Sequence, residues 1–178
     1  MEARAQAAAE TGKRILDAAA EHFGSELFDR VTLKAIAADA GVTVQTVIRR
    51  FGGKKGVFEA AAKREGERIV EERNAVEESG DRMGDAVRAL VRHYETDGRM
   101  VLNFLRQEDR TPAIAQIVRR GRNEHRRWVE EHCALLLAGT VGDERERRLR
   151  AALAATDLYV WKLLRLDRGH EPHEVEEL

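Results

Sequence analysis

The spacing of apolar residues predicts helices along the whole chain. In the first helix the apolar positions recur at i, i+4 and i+8 and so share one face, as Ile15, Ala19 and Phe23 do. The same pattern predicts four helices in the first half of the chain, over residues 11–27, 33–40, 43–51 and 54–73. Strict alternation of apolar and polar residues, which is typical of a strand, is nowhere sustained. The pattern therefore indicates an all-α protein.

The second half of the chain is predicted to be helical as well. Thr111 and Pro112 form a helix start signal, because the hydroxyl can cap the helix and proline fits its first turn. The predicted elements are a turn over 74–81, a helix from near Met83 to Gly98, a short helix over 100–105, a helix over 112–138 and a last long helix over 144–166. After Gly169 only a short tail is expected.

Composition narrows the class of protein. The 178 residues include 31 Lys and Arg against 32 Asp and Glu, so the net charge is −1. No apolar run approaches the roughly 20 residues of a membrane-spanning helix, and the N-terminus lacks the apolar segment of a signal peptide. The single cysteine, Cys133, cannot form an internal disulfide, which fits a reducing compartment. We expect a cytoplasmic protein that does not enter a membrane.

One segment is strongly basic although the whole chain is nearly neutral. Residues 30–55 carry six basic side chains and one acidic side chain, which gives this segment a net charge of +5 and leaves −6 on the rest. A basic segment in an acidic protein favours an anionic partner, with nucleic acid the leading candidate. Charge alone leaves open the alternative of a solvated basic face.

The basic segment also fits the geometry of a helix–turn–helix motif. Its two short helices can cross closely at the small residue Ala37, and Gly41 tolerates the positive φ of a tight turn. The apolar residues that pack this pair onto the first helix are Ile36, Ala40, Val42, Val47 and Phe51. The residues left on the outward face of the second helix are Val44, Gln45, Ile48 and Arg49. In a major groove glutamine pairs with adenine, arginine with guanine, and apolar side chains contact the thymine methyl group, so these four are the predicted base contacts.

Five further residues are predicted to contact the phosphates of double-stranded DNA. Hydroxyl groups and the positive N-terminal ends of helices bind phosphate. Thr32 and Thr43 each precede a short helix, Lys54 and Lys55 begin the long one, and Arg50 supports them. The alternative is three small helices that pack together only for stability.

One stretch of the chain resembles the DNA-binding segment of tetracycline-repressor (TetR) family regulators. Its sequence is VTLKAIAADAGVTVQTVIRRFGGKKGVFEAA. The resemblance covers residues 13–62. Its most specific residues are Thr32, Ile36, Ala37, Ala40, Gly41, Val42, Thr46, Phe51 and Lys54. Ile48 and Arg50 stand where the family usually has tyrosine and histidine, and Lys55 replaces the usual acid.

The resemblance implies a two-domain protein: an N-terminal three-helix helix–turn–helix domain over 8–55, and a helical ligand-binding and dimerisation domain over 56–178. It also implies a homodimer that binds a palindromic operator and is released when a small-molecule effector binds. The last long helix carries an apolar surface broader than one core face needs, which favours burial against a second copy. The residues of this surface are Leu149, Ala152, Leu153, Ala155, Tyr159, Val160, Leu163 and Leu164.

Eight residues are candidates for the walls of a ligand pocket. On the helix that begins at Pro112, a stripe spaced by four and three residues is apolar at both ends and polar or aromatic in the middle, as ligand sites often are. The candidates are His125, Trp128 and His132 on this stripe, with His93, Tyr94, Asn103, Phe104 and Gln107 on the preceding helices. For each of them an ordinary core or surface position remains the alternative. The two histidines of the stripe are too far apart for a metal pair at i, i+4, so we expect neither a metal nor a cofactor.

Enzyme motifs are not found in the sequence. The run Gly52–Gly56 lacks the spacing of a phosphate-binding loop, and no Gly-x-Ser-x-Gly sequence occurs. We expect a transcriptional regulator rather than an enzyme. Two alternatives stay open: a helical enzyme that acts on a small molecule through His93 or His125, and a helical adaptor without specific DNA binding.

Overall fold

The computed structural model describes residues 2–75 and 80–177, and these contain helices but no strand. The helices are α1 (Glu2–Ser25), α2 (Leu33–Asp39), α3 (Val44–Phe51), α4 (Lys54–Asn74), α5 (Arg82–Leu105), α6 (Pro112–His132), α7 (Ala134–Leu137), α8 (Gly142–Ala155), α9 (Leu158–Trp161) and α10 (Pro172–Glu176). A π-helical segment, Lys162–Asp167, follows α9 directly. The predicted all-α fold is confirmed. The turn predicted over 74–81 lies partly outside the described residues.

The chain divides into two compact units. The first comprises the residues up to 68 together with Asn103–Ile117, and the second comprises 69–102 together with the residues from 118 onward. None of the described helices is both long and apolar enough to cross a membrane.

An aromatic cluster forms the core of the first unit. The Phe58 ring lies 4.9 Å from Phe23, 5.2 Å from Phe28 and 5.9 Å from Phe104 between centroids, in edge-to-face arrangements. Such pairs stabilise a core beyond the area that they bury. The fully buried aliphatic residues around the cluster include Ile15, Ile36, Val47 and Val57. The α2–α3 pair is therefore fixed to α1 and α4 by apolar packing.

Two buried amides hold the C-terminal end of α1 in this unit. The Asn103 Nδ2 group donates to the carbonyl oxygens of Phe23, Gly24 and Glu26, at 2.8–3.2 Å. The Gln107 Oε1 atom accepts a hydrogen bond from the Phe28 amide at 2.7 Å. The last carbonyls of a helix have no partner within the helix, so these contacts satisfy groups that would otherwise be buried unpaired.

Helix α5 runs through Gly98, where the sequence predicted an end. The Trp161 ring packs on Gly98 so closely that a Cβ there would lie 2.6 Å from Cζ3 of the indole. A glycine in a helix interior costs about 1 kcal/mol relative to alanine, but here the missing side chain makes room for a large buried aromatic group. The prediction of a helix end and a separate short helix was wrong because glycine serves packing at this position.

Three other helix boundaries also differ from the prediction. Helix α1 begins at Glu2 rather than near residue 11, since its first turns are rich in alanine, the strongest helix former. Helix α6 ends at His132, not at residue 138. The tail beyond Gly169 contains α10, which Glu171 and Glu174 begin with a reciprocal capping box.

The predicted last helix is interrupted in its middle. Helix α8 ends at Ala155, and Asp157 caps the next helix by accepting a hydrogen bond from the Tyr159 amide at 2.8 Å. Threonine and aspartate side chains bond to nearby backbone groups and so favour helix ends over helix interiors. Thr156 and Asp157 therefore divide one predicted helix into two.

Candidate nucleic-acid interface

Helices α2 and α3 form a tight helix–turn–helix in the first unit. Gly41 adopts a φ of 63° between them, and the Val42 amide donates to the Ala37 carbonyl at 2.9 Å. Ala37 is buried where the helices meet. The small residue and the turn glycine thus lie where the sequence predicted them.

Each of the two helices begins with a threonine cap. The Thr32 Oγ1 atom accepts from the Ala35 amide at 3.1 Å, and Thr43 Oγ1 accepts from the Thr46 amide at 3.2 Å. Both threonines are exposed. The positive ends of two helix dipoles, with a hydroxyl at each, therefore face outward as a phosphate-binding surface requires.

The exposed side of α3 consists of Gln45, Ile48 and Arg49, while Val47 on the opposite side is fully buried. Val44 is half-buried at the edge of this surface. Within the described residues, no hydrogen bond or ion pair holds the Gln45 amide or the Arg49 guanidinium. We call Gln45, Ile48 and Arg49 the recognition face, since its polar groups are available to a partner.

The remaining basic candidates lie around this face but make contacts of their own. The Lys54 ammonium donates to the Asp29 carbonyl at 3.2 Å and lies 4.7 Å from the Phe28 ring centroid. Lys55 pairs with Glu59 at 3.6 Å across one helical turn. The exposed Arg50 crosses α1 at Gly12, where a Cβ would meet its guanidinium at 2.7 Å. Lys54 and Arg50 thus help to fix the motif on its neighbours.

An acid–base pair also links α1 to α2. The His22 ring lies between two carboxylates, with Nδ1 2.6 Å from Glu26 Oε1 and Nε2 2.7 Å from Asp39 Oδ2. The hydrogen bond to Glu26, followed by that to Asp39, raises the pKa of His22 despite its partial burial. In its protonated form this histidine donates to both carboxylates.

The pocket candidates divide between the two units. Asn103, Phe104 and Gln107 belong to the first unit, where they hold α1 and fill the aromatic core. His93, Tyr94, His125, Trp128 and His132 belong to the second unit. There the Trp128 ring stacks between His132, 4.9 Å away, and His125, 6.0 Å away. The ring of Tyr94 lies 5.3 Å from His93 and 5.9 Å from Trp161.

The sequence reasoning missed two members of the cluster around Trp128, namely Arg73 and Thr156. The Arg73 guanidinium carbon lies 4.7 Å from the Trp128 ring centroid, and its Nη2 group lies 3.4 Å from His125 Nδ1. On the other side of that ring, His125 Nε2 lies 3.1 Å from Thr156 Oγ1. The sequence contains one signal for Arg73. It follows Ile69 by four residues on a predicted helix, so the two side chains are expected on the same face.

Several large apolar side chains of the second unit are exposed. Tyr159 (56% exposed) and Leu163 (47% exposed) lie four residues apart along α9 and the π-helical segment, and Ala155 at the end of α8 is exposed as well. The predicted surface is partly corrected here, since Leu149 and Ala152 are buried in the core. The exposed apolar residues of this region are Ala155, Tyr159, Leu163 and Leu166, and we call them the α8–α9 face.

The first comparison with known proteins concerns the helix–turn–helix region. Residues 15–61 match the family profile described as bacterial regulatory proteins of the TetR family. No curated protein matches the chain.

Solved structures extend the likeness to nearly the whole chain. A TetR-like transcriptional regulator from Rhodococcus sp. RHA1 is 22% identical, with a TM-score of 0.70 over 94% of this chain and 90% of that one. A second transcriptional regulator from the same source is 19% identical, with a TM-score of 0.70 over 93% and 90%. GusR of Salmonella enterica is 19% identical, with a TM-score of 0.67 over 94% and 92%.

The two comparisons agree with the fold described above. The helix–turn–helix of α2 and α3 lies within the segment that matches the TetR-family profile. The chain as a whole has the fold of TetR-family transcriptional regulators, with an N-terminal helix–turn–helix and a helical C-terminal part.

Proposed function

We propose that the protein is a sequence-specific transcriptional repressor that binds a palindromic DNA operator as a homodimer and releases it when a small molecule binds. The observation that carries this proposal is the recognition face, whose polar groups are unpaired in the described structure and lie on a helix capped by the exposed Thr43. We assign DNA binding to residues 8–55, and ligand binding and dimerisation to residues 56–178. As part of the same proposal, the protein is cytoplasmic and is not an enzyme.

Base contacts are assigned to the second helix of the motif. Gln45 can form two hydrogen bonds with adenine, and Arg49 can form two with guanine, each pairing contributing about 1–3 kcal/mol of discrimination. Ile48 and Val44 are apolar and suit the thymine methyl group or the shape of the groove. The exposure of Gln45, Ile48 and Arg49, with Val47 buried behind them, supports insertion of α3 into a major groove.

Phosphate contacts are assigned to Thr32, Thr43, Arg50, Lys54 and Lys55. The threonines offer hydroxyls at helix N-termini, while Lys55 and Arg50 bring exposed positive charge. Lys54 keeps donors beyond the one that bonds to Asp29, since an ammonium group has three. The basic charge of residues 30–55 supports attraction to DNA of any sequence.

Dimerisation is assigned to the α8–α9 face. Exposed leucine and tyrosine side chains at helical spacing can pack against the same face of a second copy, and a shared two-fold axis makes such an interface self-complementary. A two-fold protein requires a palindromic operator whose half-sites lie about one DNA turn apart, or a multiple of it.

Ligand release is assigned to a shift of the long helices. Helix α4 begins at Lys54, beside the helix–turn–helix, and ends one residue after Arg73 in the second unit. A ligand that binds better to one position of this helix favours that position, and so alters the spacing of the two recognition helices. A small change of spacing is enough to weaken binding to a fixed palindrome.

The proposal is tested by mixing the purified protein with sheared DNA from its own source and sequencing what stays bound. We expect enrichment of a palindrome, and its half-site spacing reports the dimer geometry. Retention without sequence preference that disappears at modest salt concentration contradicts specific recognition. A protein that retains no DNA contradicts the function altogether.

A further inference from the structure

The last turn of α4 places a positive charge in the interior of the second unit. Arg73 is only 7% exposed. Within residues 2–75 and 80–177, no carboxylate forms an ion pair with it. Arginine is almost never fully buried without a partner, because the interior does not solvate its charge. The environment of Arg73 therefore favours the binding of an anion.

The groups packed around Arg73 are neutral or already engaged. His125 is uncharged at neutral pH, since burial and then the Arg73 charge lower its pKa to about 4. Its Nδ1 atom accepts from Arg73, while Nε2 donates to Thr156 Oγ1, which in turn donates to the Ala152 carbonyl at 2.7 Å. The Tyr94 hydroxyl donates to the Thr156 carbonyl at 2.8 Å.

The nearby acids have their own partners. Asp97 pairs with His93 at 3.1 Å, Glu124 pairs with Arg127, and Asp157 caps α9. Each of these carboxylates is thus held by another group.

Two hydrogen-bond donors of the same cluster have no acceptor in the part of the chain that the structure describes. Both Arg73 Nε and Trp128 Nε1 are buried and have no partner among those residues. They belong to side chains in cation–π contact, with the guanidinium carbon 4.7 Å from the indole ring. Trp128 itself is 6% exposed. Buried donors in native proteins are nearly always satisfied, so two in one contact pair indicate a missing acceptor.

We infer that Arg73 and Trp128 bind the carboxylate group of a small organic acid, with Arg73 Nε and Trp128 Nε1 as its hydrogen-bond donors. The inference rests on the proposed ligand-responsive function and names the chemistry of the effector. A carboxylate matches the site because it supplies one negative charge and two acceptor oxygens. A phosphate dianion suits it less, since the single Arg73 charge would leave one negative charge uncompensated near Asp157 and Glu124. The stacked rings of His125 and His132 on Trp128 provide a planar surface beside the carboxylate.

The test uses the two indole groups of the full chain as a site and its internal control. The protein contains two tryptophans, and Trp161 Nε1 already donates to Glu95 at 2.7 Å. In protein labelled with 15N-tryptophan, titration with acetate at constant ionic strength should move the Trp128 indole signal downfield and leave that of Trp161 in place. Trp128→Phe identifies the Trp128 signal. Acetamide, the uncharged isostere, should move neither signal.

Substitutions decide whether Arg73 supplies the charge. Arg73→Gln should weaken acetate binding by about tenfold or more, as loss of a hydrogen-bonded charge predicts, and Arg73→Lys should retain part of it. Arg120→Gln, which removes an exposed arginine of α6, should bind acetate like the wild type. If Arg73→Gln does not fold, the acetate-induced rise in the melting temperature of Trp128→Phe gives a second measure, and it should be smaller than that of the wild type.

Three results overturn the inference: a Trp128 signal that ignores acetate, an equal response to acetamide, or tighter binding of inorganic phosphate than of acetate. None of them bears on DNA binding, which the sheared-DNA experiment measures separately. Conversely, acetate binding by a protein that retains no DNA would leave the carboxylate site in place and remove its role as an effector site.

Discussion

The imidazole of His22, on α1, lies 2.7 Å from the carboxylate of Asp39, the last residue of α2, and its other nitrogen lies 2.6 Å from Glu26. This histidine therefore connects the helix–turn–helix to the helix on which it packs. Both carboxylates favour the imidazolium form, and the pKa of His22 in the folded protein is raised above its ordinary value of 6.5. Because the folded state holds the proton more tightly than the unfolded state, the contact stabilises the fold when the ring is protonated.

Stability is accordingly expected to depend on pH through His22. The contribution is fully present below the unfolded-state pKa and is lost as the pH rises through the raised folded-state pKa. In His22→Gln this part of the pH dependence should be absent, as measured by urea unfolding at a series of pH values. His173→Gln, which removes an exposed histidine, is the matched control. Parallel pH profiles for wild type and His22→Gln would exclude the linkage.

Replacement of Gln45 or Arg49 by alanine should cost about 1–3 kcal/mol of binding at the operator and relax the preference for one base pair. The reason is that each side chain is exposed and available for bidentate pairing with a base edge. Binding is measured by fluorescence anisotropy on the selected operator and on single-base variants of it. Arg119→Ala, an exposed arginine of α6, should leave both affinity and preference unchanged. An equal loss on operator and random DNA would show that these residues contact phosphate instead.

Lys54→Ala should act on DNA binding and on stability together. Loss of a phosphate contact should weaken binding to all sequences and reduce the slope of log K against log salt concentration by about one. Loss of the contact with the Phe28 ring should lower the free energy of unfolding by about 0.5–1 kcal/mol, since the site is partly exposed. Lys63→Ala, an exposed residue of the same helix that pairs with Glu67, is the control for both measurements. A salt slope that stays constant would remove Lys54 from the phosphate contacts.

The α8–α9 face should be required for dimerisation. Leu163→Glu places a charge on an apolar surface that the proposed dimer buries, so it should shift the protein toward monomer in sedimentation velocity. Val70→Glu introduces the same charge at a comparably exposed position of α4 and should not change the oligomeric state. If both variants sediment as the wild type does, the dimer interface lies elsewhere or the protein is monomeric.

The helix–turn–helix could be predicted residue by residue because its determinants are local. These determinants are the turn glycine Gly41 with its φ of 63°, the helix caps Thr32 and Thr43, and the buried apolar residues Ile36 and Val47. Each can be recognised from the residues next to it in the sequence. The base and phosphate contacts remain predictions. The contacts that Lys54 makes with Phe28 and Asp29 were not predicted, since they join residues far apart in the chain.

The second unit was harder to predict because its contacts are nonlocal. The spacing from Ile69 places Arg73 on one face of α4, but whether Arg73 is solvated or buried depends on where α6 brings Trp128. The same holds in the first unit, where the predicted pocket residues Asn103 and Gln107 bind the backbone at the end of α1 through their amides. Gly98 is a further example. As a glycine it predicts a helix end, but α5 continues through it because the Trp161 ring packs there.

Gly98 and Gly66 provide opposite expectations for the same substitution. Both lie inside helices, where alanine is favoured over glycine by up to about 1 kcal/mol. At Gly66 a Cβ meets nothing within 4 Å, so Gly66→Ala should raise the free energy of unfolding. At Gly98 the Cβ would lie 2.6 Å from the Trp161 ring, which cannot easily move because its Nε1 group is bonded to Glu95. Gly98→Ala should therefore destabilise the protein by about 1–3 kcal/mol, as overpacking of a core does. Urea unfolding of the two variants measures both effects, and a stabilised Gly98→Ala would mean that the α5–Trp161 contact is looser than the structure shows.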